Sequence, residues 1–230
     1  MKKNNYGSLF LTLCGCFPCL LLGVGKIVFS VGCTRPIGTC FQNSDGGGAY
    51  PEAIIECPDY YHGENCDDCR VFVDDDGSAV SGDGKSWTKA FSDLQAGIDT
   101  AAAQPTPCAV WIAEGTYYAF RSSIEDSFVL PSNVTLYGGF DGDETELNER
   151  DWQQHETVLS GRSATTAGGR VRSVLRAEGV SNVVLDGLYI TAGLSVDLPE
   201  GRTGQGGGLL TIEAEVELRQ CRFFENLAEF

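Results

Sequence analysis

The chain has 230 residues and a formal net charge of −16, and hydrophobic residues make up 42% of it. That hydrophobic share is enough for a packed core, so the composition excludes a chain that is disordered throughout. The acidic balance argues against nucleic acid as a partner, because phosphates bind basic surfaces, and also against docking on anionic lipid headgroups. The 29 glycines and the frequent Phe, Tyr and Val favour strands joined by tight turns.

The N-terminus, residues 1–32, is predicted to be a signal or anchor segment. Lys2 and Lys3 precede an apolar run at 9–31, which only Lys26 interrupts. A positive region before such a run is typical of a secretory signal, although the length of the run also fits an uncleaved membrane anchor.

Two short sequences at this end resemble a bacterial lipoprotein box: SVGC, which ends at Cys33, and LCGC, which ends at Cys16. The first resemblance implies cleavage before Cys33 and a lipid on its sulfur. Lipidation, plain signal cleavage and a membrane anchor remain alternatives. All three predict an exported protein, at the cell surface, in the outer membrane or outside the cell, with membrane contact through this end alone.

Residues 33–56 are predicted to be a linker, because the stretch NSDGGG at 43–48 has little to bury. The sequence CPDYYHGENC at 57–66 resembles the last loop of an EGF-like module, and this resemblance implies a disulfide between Cys57 and Cys66. An EGF-like fragment would then span residues 57–69. The spacing of Cys66 and Cys69 also allows a zinc site, but the cysteine density of this segment favours disulfides in an oxidising compartment.

From residue 71 onwards the sequence predicts short strands, with one helix between the first two strands. The helix is predicted over 86–103, with Ser86 as its N-cap. Its apolar stripe consists of Phe91, Leu94, Ile98 and Ala102. Such a helix either covers the end of a stack of strands or forms an ordinary crossover.

In both arrangements the strands at 71–73 and 110–112 are parallel neighbours. Cys69 and Cys108 each lie two residues before one of these strands. In register the two cysteines face each other, so we predict a Cys69–Cys108 disulfide. Cys221 is then expected to pack inward as a free thiol.

The remaining strands are predicted without helices between them, at 127–130, 134–137, 157–159, 173–175, 182–185, 188–190, 209–212, 216–218 and 221–223. Part of this region aligns as a repeat in which the inward positions match as apolar: Leu185 with Leu218, Leu188 with Cys221, and Ile190 with Phe223. A repeat that cannot cover its own apolar face must bury it against neighbours, which favours a solenoid. A β-sandwich with antiparallel strands is the alternative.

Several motifs in this region resemble a known family. GGGLL at 206–210 followed by FFEN at 223–226 resembles the paired signatures of polymorphic outer-membrane-protein repeats. Motifs upstream resemble the opening of bacterial surface β-helix proteins: VFVD at 71–74, GKSW at 84–87, LQAGI at 94–98, VWIAEGTY at 110–117, YGGF at 137–140 and RDW at 150–152. The resemblance implies an all-β, right-handed parallel β-helix of the pectin-lyase-like class over residues 70–230, with an N-terminal capping helix. No cap follows the last strand, so we expect a solenoid that is truncated at its C-terminus.

The densest acidic cluster includes Asp74, Asp76 and Asp83, in a Gly-rich loop whose hard oxygen ligands suit Ca²⁺. A second acidic cluster comprises Asp141, Asp143 and Glu144. For both clusters a solvated turn is the alternative interpretation. Calcium is the only cofactor that the sequence suggests.

No catalytic arrangement is evident in the sequence. A polysaccharide lyase of this fold needs a basic residue beside acid-bound Ca²⁺, and Asp186 is the only Asp on a strand near the arginines Arg170, Arg172 and Arg176. A glycosidase needs clustered carboxylates, and Asp186 and Glu217 lie one position apart in the repeat alignment, so a shared face is not assured.

Other residues that often serve in binding or catalysis show no pattern of their own. His62 and His155 look isolated, and the tryptophans either stack on sugars or pack in a core: Trp87, Trp111 and Trp152. The sequence therefore predicts an exported surface protein with a structural, adhesive or carbohydrate-contacting role, whose partners are extracellular polysaccharides or surface proteins. The alternative is a polysaccharide lyase or glycoside hydrolase whose active site lies partly outside this chain.

Overall fold

The computed structural model describes residues 59–62, 68–76, 82–165, 168–196 and 206–228, which all belong to one compact unit. The predicted signal segment, the linker and the lipidation site at Cys33 lie outside the described residues, as do Cys57 and Cys66. None of the helices in the described part of the chain is long and apolar enough to cross a lipid bilayer.

The described chain is all-β, with largely parallel strands and a single α-helix, α1 (Leu94–Ala102). The strands in chain order are β1 (Tyr61–His62), β2 (Asp68–Val73), β3 (Cys108–Ala113), β4 (Gly115–Tyr118), β5 (Phe128–Val129), β6 (Val134–Phe140), β7 (Thr157–Ser160), β8 (Leu175–Glu178), β9 (Val183–Asp186), β10 (Leu188–Thr191), β11 (Leu194–Ser195), β12 (Leu209–Ile212), β13 (Val216–Arg219), β14 (Arg222–Phe224) and β15 (Leu227–Ala228).

These strands form four separate sheets. The first has the order β1-β2-β3-β6-β9-β13, the second β4-β7-β10-β14, the third β5-β8-β12, and the fourth pairs β11 with β15. Every pairing is parallel except that of β1 with β2, which is antiparallel. The chain visits the first, second and third sheets in the same order in each circuit: β3–β4–β5, then β6–β7–β8, then β9–β10–β12 with β11 inserted.

The core lies behind the first three sheets, where alternate strand residues form apolar ladders. Leu136 pairs with Leu185, and Leu185 pairs with Leu218. Ile190 pairs with Phe223 in the second sheet. Most of these side chains are buried, since the period-2 alternation of a strand turns every second residue to the same face. The predicted repeat alignment is confirmed at these strand positions.

The helix prediction is wrong at its N-terminal part. Residues Trp87–Lys89 form a short 3₁₀ turn, in which the Ser86 side chain makes no capping hydrogen bond. Phe91 forms a parallel bridge with Val73. The carboxylate of Asp93 caps α1 instead, because it accepts hydrogen bonds from the first backbone N–H groups of that helix. Strand-type pairing of the Phe91 backbone therefore outweighs its helical spacing.

The apolar stripe of the helix is correct in part. Leu94 and Ile98 are buried against the strands, as expected. Ala102 is exposed, and Ala101 is buried in its place. Positions 101 and 102 both lie about one turn after Ile98, and the buried face of α1, which also contains Gly97, includes the first of them.

Among the described strands, each strand of the circuit β13–β14–β15 is paired on one side only. Leu218 and Phe223 are 46% and 42% exposed, although their partners Leu185 and Ile190 on the preceding circuit are fully buried. These side chains thus continue the inward ladders but leave an apolar surface open to solvent.

Candidate functional site

Cys69 and Cys108 are joined by a disulfide, which is the pair that the register of the strands predicts. Arg70 pairs with Ala109 in the parallel ladder between β2 and β3, so the two preceding cysteines lie opposite each other. A zinc site that uses Cys69 is ruled out, because its sulfur is already bonded. Cys221 is a free thiol, and its Sγ lies 3.4 Å from the carbonyl oxygen of Leu185.

A shallow groove runs across the outer face of the first sheet. Its floor is one ladder of residues paired from β2 to β13: Arg70, Ala109, Thr135, Val184 and Glu217. The three central members have short side chains and are only partly buried. The long side chains of Arg70 and Glu217 rise higher at the two ends, so the centre of the ladder forms a depression. Four strand spacings of about 4.8 Å make the ladder about 19 Å long, which is the length of a short oligosaccharide.

The next outward ladder forms one wall of this groove. Trp111 is buried and stacks on Phe140 with a ring distance of 4.6 Å, while Tyr137 beside it is half-buried. The guanidinium of Arg70 lies 4.3 Å from the Trp111 ring centre, and that of Arg150 lies 5.2 Å from the Tyr137 ring centre. Tyr137 thereby presents a fixed aromatic ring to the groove.

The opposite wall is made by the residues that precede the strands. It contains Pro107 and two asparagines, with Nδ2 of Asn182 donating a hydrogen bond to Oδ1 of Asn133 at 3.0 Å. Both asparagines have a left-handed backbone, which Asn tolerates better than most residues. The groove comprises two adjoining depressions of about 280 and 370 Å³, which share Pro107 and Thr135 in their lining.

The charged residues at the two ends of the floor, Arg70 and Glu217, are each paired with a neighbouring side chain. Arg70 binds the carboxylate of Asp68 and the carbonyl oxygen of Thr145. Glu217 at the other end bonds Nε of Arg219 at 2.8 Å. Two further carboxylates of the lining, Glu146 and Glu215, form no ion pair among the described residues, so the groove is mildly acidic, and its uncharged polar groups are amides and a hydroxyl.

Asp186 and Glu217 do share the outer face of the first sheet. In register Asp186 pairs with Arg219 and Glu217 pairs with Val184, so the two acids are two positions apart and not one. Asp186 is covered by Arg150, whose guanidinium lies 2.9 Å from Oδ1, and the two side chains are only 9% and 12% exposed. A pair of carboxylates acting together on a substrate is not formed by these two residues.

The residues that the sequence predicts to bind calcium each make contacts with other groups. Asp74 accepts a hydrogen bond from the backbone N–H of Asp76 at 3.0 Å, directly after β2. Asp83 accepts one from the backbone N–H of Lys85 and lies 3.9 Å from the ammonium group of Lys89. Calcium binding by Asp74, Asp76 and Asp83 stays a prediction.

A different group of donors meets at the edge where β3 and β6 end. Among the described residues, three side chains with metal-binding donor atoms come together: Glu114, Asp141 and His155. Their donor atoms all lie within 4.8 Å of one another. Glu114 follows β3, Asp141 follows β6, and His155 precedes β7. Nδ1 of His155 lies 2.9 Å from Oε2 of Glu114 and 3.7 Å from Oδ1 of Asp141.

His155 is thus not isolated, contrary to the sequence-based expectation. The hydrogen bond with Glu114 raises the pKa of His155 above its usual value, burial opposes this rise, and the charge of Asp141 adds to it. His62 differs: burial lowers its pKa, and its ring lies edge-on to Phe72 at 5.8 Å.

Other carboxylates surround this set. Asp75 accepts a hydrogen bond from the backbone N–H of Thr116 at 2.8 Å, and burial raises the pKa of Asp75. We call this edge the acidic corner, defined by Asp74, Asp75, Glu114, Asp141 and Asp143. Within the described chain, no Lys or Arg forms an ion pair with these five residues.

Glu144 has a structural role beside this corner. Its carboxylate accepts hydrogen bonds from the backbone N–H groups of Asp141 and Asp143 at 2.7 and 3.2 Å, and from that of Gly142. Of the second predicted acidic cluster, Asp141 therefore remains available as a ligand whereas Glu144 is used to hold the loop.

The arginines near β8 are also held in structural contacts. Arg170 donates to the carbonyl oxygen of Ala192 at 2.8 Å, and Arg172 pairs with Glu125 at 2.7 Å. Arg176 pairs with Glu178, also at 2.7 Å. The contacts of these three arginines in the described chain involve none of the residues of the acidic corner.

Two of the tryptophans outside the groove pack against the fold. Nε1 of Trp87 donates to the carbonyl oxygen of Glu144 at 2.9 Å, and the Trp152 ring lies 6.2 Å from that of Tyr189.

Comparison of the chain with models of known protein families and with curated proteins finds no match. The geometry of the groove and of the acidic corner is therefore the ground for any functional conclusion.

Proposed function

We propose that this chain is exported, folds as a right-handed parallel β-helix, and uses the groove of its first sheet to contact a neutral glycan at the cell surface. The fold is supported by the repeated order in which the chain visits three sheets of parallel strands, and by the motifs that resemble surface β-helix proteins. A strand–crossover–parallel strand connection is right-handed in nearly all proteins, which supports the hand. The packing of α1 beside β2 and β3 supports its role as an N-terminal cap.

Export is supported by the Cys69–Cys108 disulfide, since such bonds persist in oxidising compartments. The N-terminal segment, with its apolar run and the lipoprotein-like sequence at Cys33, agrees with the same location. Because this segment lies outside the described residues, its role is argued from sequence alone.

The single observation that carries the binding role is the groove that Tyr137, Thr135 and the asparagine pair line. Aromatic faces contact the apolar faces of sugars, and amide and hydroxyl groups bond their hydroxyls. The chain as a whole has a net charge of −16, which repels polyanionic glycans. A neutral glycan therefore fits the groove better than a polyuronate.

Binding is favoured over catalysis by the state of the nearby carboxylates. Asp68, Asp186 and Glu217 each pair with an arginine. Hydrolysis of a glycosidic bond needs one carboxylic acid that can give up a proton and a second that stays charged. The hydrogen bond from Arg219 lowers the pKa of Glu217, so this carboxyl does not supply that acid. Arg70 and Arg150 engage Asp68 and Asp186, and Glu146 caps the 3₁₀ turn that follows it.

The test is isothermal titration calorimetry of the protein with a panel of neutral oligosaccharides and a panel of polyuronates. Tyr137→Ala is expected to weaken binding of the best neutral ligand by at least about tenfold, because aromatic residues at the centre of a binding site contribute about 2 kcal/mol or more. Tyr118→Ala is the matched control, since Tyr118 is a 41% exposed tyrosine on the second sheet. Equal effects of the two variants would contradict the proposed groove.

The same samples test the catalytic alternative. Release of reducing ends or of unsaturated products from any glycan in the panel would show that the chain is an enzyme. Binding without products supports the proposed role, and the absence of binding by the folded protein to every glycan at millimolar concentration refutes it.

A further inference from the structure

We propose that Glu114, Asp141 and His155 bind one divalent transition-metal ion, with Zn²⁺ as the best fit. The three side chains offer two carboxylate oxygens and one imidazole nitrogen. That mixed donor set is one that Zn²⁺ accepts, with a water molecule as its fourth ligand. This inference does not depend on glycan binding, because the site lies at a different edge of the first sheet.

The spacing of the donor atoms fits a small tetrahedral ion. Ligands at 2.0–2.2 Å from Zn²⁺ in a tetrahedron are separated from each other by about 3.4 Å. Nδ1 of His155 lies 2.9 Å from Oε2 of Glu114 and 3.7 Å from Oδ1 of Asp141, so the observed distances bracket that value. All three donor atoms lie within 4.8 Å of one another, and the two carboxylates are exposed, so their oxygens have room to move onto the ion.

The backbone holds each ligand in place from a different segment of the chain. The N–H of Glu114 donates to the carbonyl oxygen of Phe140 at 2.7 Å, directly beside Asp141. The N–H of His155 donates to the carbonyl oxygen of Asp151 at 2.8 Å, and Asp141 is held by the Glu144 carboxylate. The donors therefore meet without ordering a long loop, which lowers the entropic cost of binding a metal.

The electrostatics favour a cation at this position. Several carboxylates elsewhere in the described chain form ion pairs with arginines: Asp68, Asp93, Asp186, Glu125, Glu178 and Glu217. The acidic corner has no such partner among the described residues, and His155 is the only basic group that reaches its carboxylates. A bound divalent ion compensates this uncancelled negative charge.

The donor set also distinguishes among metals. Ca²⁺ takes six to eight oxygen ligands, whereas imidazole nitrogen suits Zn²⁺ and neighbouring transition metals. The presence of His155 between the two carboxylates therefore favours Zn²⁺ over Ca²⁺, and the site differs in position from the calcium site expected at Asp74, Asp76 and Asp83.

The experiment is titration of the full chain with ZnCl₂ by calorimetry and by long-range ¹⁵N–¹H NMR of the histidines. The chain has two histidines, so His62 serves as an internal reference in the same spectrum. We expect one Zn²⁺ at this site, a shift of the Nδ1 resonance of His155, and no change at His62. A parallel titration with CaCl₂ is expected to leave both histidine spectra unchanged.

Three variants test the ligand assignment. His155→Gln and Glu114→Gln are each expected to weaken the binding by more than the roughly 10- to 100-fold that outer-shell partners contribute. Asp76→Asn is the matched control, because it removes an exposed carboxylate near the same edge, and it is expected to retain the wild-type affinity. Near-ultraviolet circular dichroism verifies that all three variants are folded.

Two results would overturn the proposal. One is Zn²⁺ binding with wild-type affinity in His155→Gln and Glu114→Gln, which would assign the ion to other ligands such as free cysteines. The other is the absence of a Zn²⁺-dependent shift at His155 in the folded protein at millimolar Zn²⁺.

Discussion

The disulfide between β2 and β3 allows a quantitative prediction of stability. Replacement of Cys69 and Cys108 by alanine opens a cross-link that spans a sequence separation of 39 residues. In the chain-entropy treatment, closing a loop of that size lowers the entropy of the unfolded state by about 13 cal/mol/K, which corresponds to about 4 kcal/mol at 25 °C. We expect the double variant to lose about that much free energy of unfolding.

The assay is urea unfolding followed by tryptophan fluorescence under non-reducing conditions. With an m-value of about 2 kcal/mol/M, the midpoint should fall by about 2 M urea. Cys221→Ala is the control, since Cys221 is a half-buried free thiol in another circuit, and its loss should not exceed about 1 kcal/mol.

The single variants provide the result that would refute this reasoning. Cys69→Ala and Cys108→Ala each break the same bond, so each should lose nearly as much stability as the double variant. Losses that add up across the two single variants would indicate that packing of the side chains, and not the cross-link, is responsible. A loss below about 1 kcal/mol in the double variant would refute the entropic account directly.

Two further predictions concern the loops between the strands. Burial opposes ionisation of Asp126, but backbone N–H groups of Ser122, Ser123 and Arg121 donate to its carboxylate and hold its pKa below the usual 3.8. Asp126→Asn should therefore be less stable than the wild type above pH 4, and the difference should shrink as the pH falls through the lowered pKa; a difference that does not vary with pH in urea titrations would contradict this. Gly193→Ala should lose about 3 kcal/mol or more in the same unfolding assay, because its Cβ would lie 1.7 Å from the carbonyl oxygen of Gly207, and a loss below 1 kcal/mol would show that the backbone yields easily.

The register of the repeat could be predicted from the sequence, because inward residues at period 2 leave little freedom once one pair is aligned. Leu185 opposite Leu218 also places Ile190 opposite Phe223, as observed. The start of the helix could not be predicted in this way. Phe91 has the correct helical spacing, but its backbone is engaged by strand β2, and only the tertiary fold reveals that competition.

The groove and the acidic corner were harder to predict for a related reason. Glu114 and His155 are 41 residues apart in sequence, and the circuit between them has loops whose lengths no repeat dictates. The sequence groups Asp141 with the adjacent acids Asp143 and Glu144, whereas the structure brings it beside Glu114 and His155. A signal existed in hindsight: Glu114 and Asp141 both directly follow apolar strands of the same parallel sheet, whose carboxyl ends lie at one edge.

The position of the Cys69–Cys108 disulfide has a consequence for how β2 responds to local opening. Arg70 pairs with Ala109 directly after the two cysteines, so the bond joins neighbouring positions of one parallel ladder. When that ladder opens, β2 stays tethered beside β3, and it returns to its partner without a search through the unfolded chain. Openings of β2 should therefore be brief and should close in the native register, and reduction of the disulfide should lengthen them.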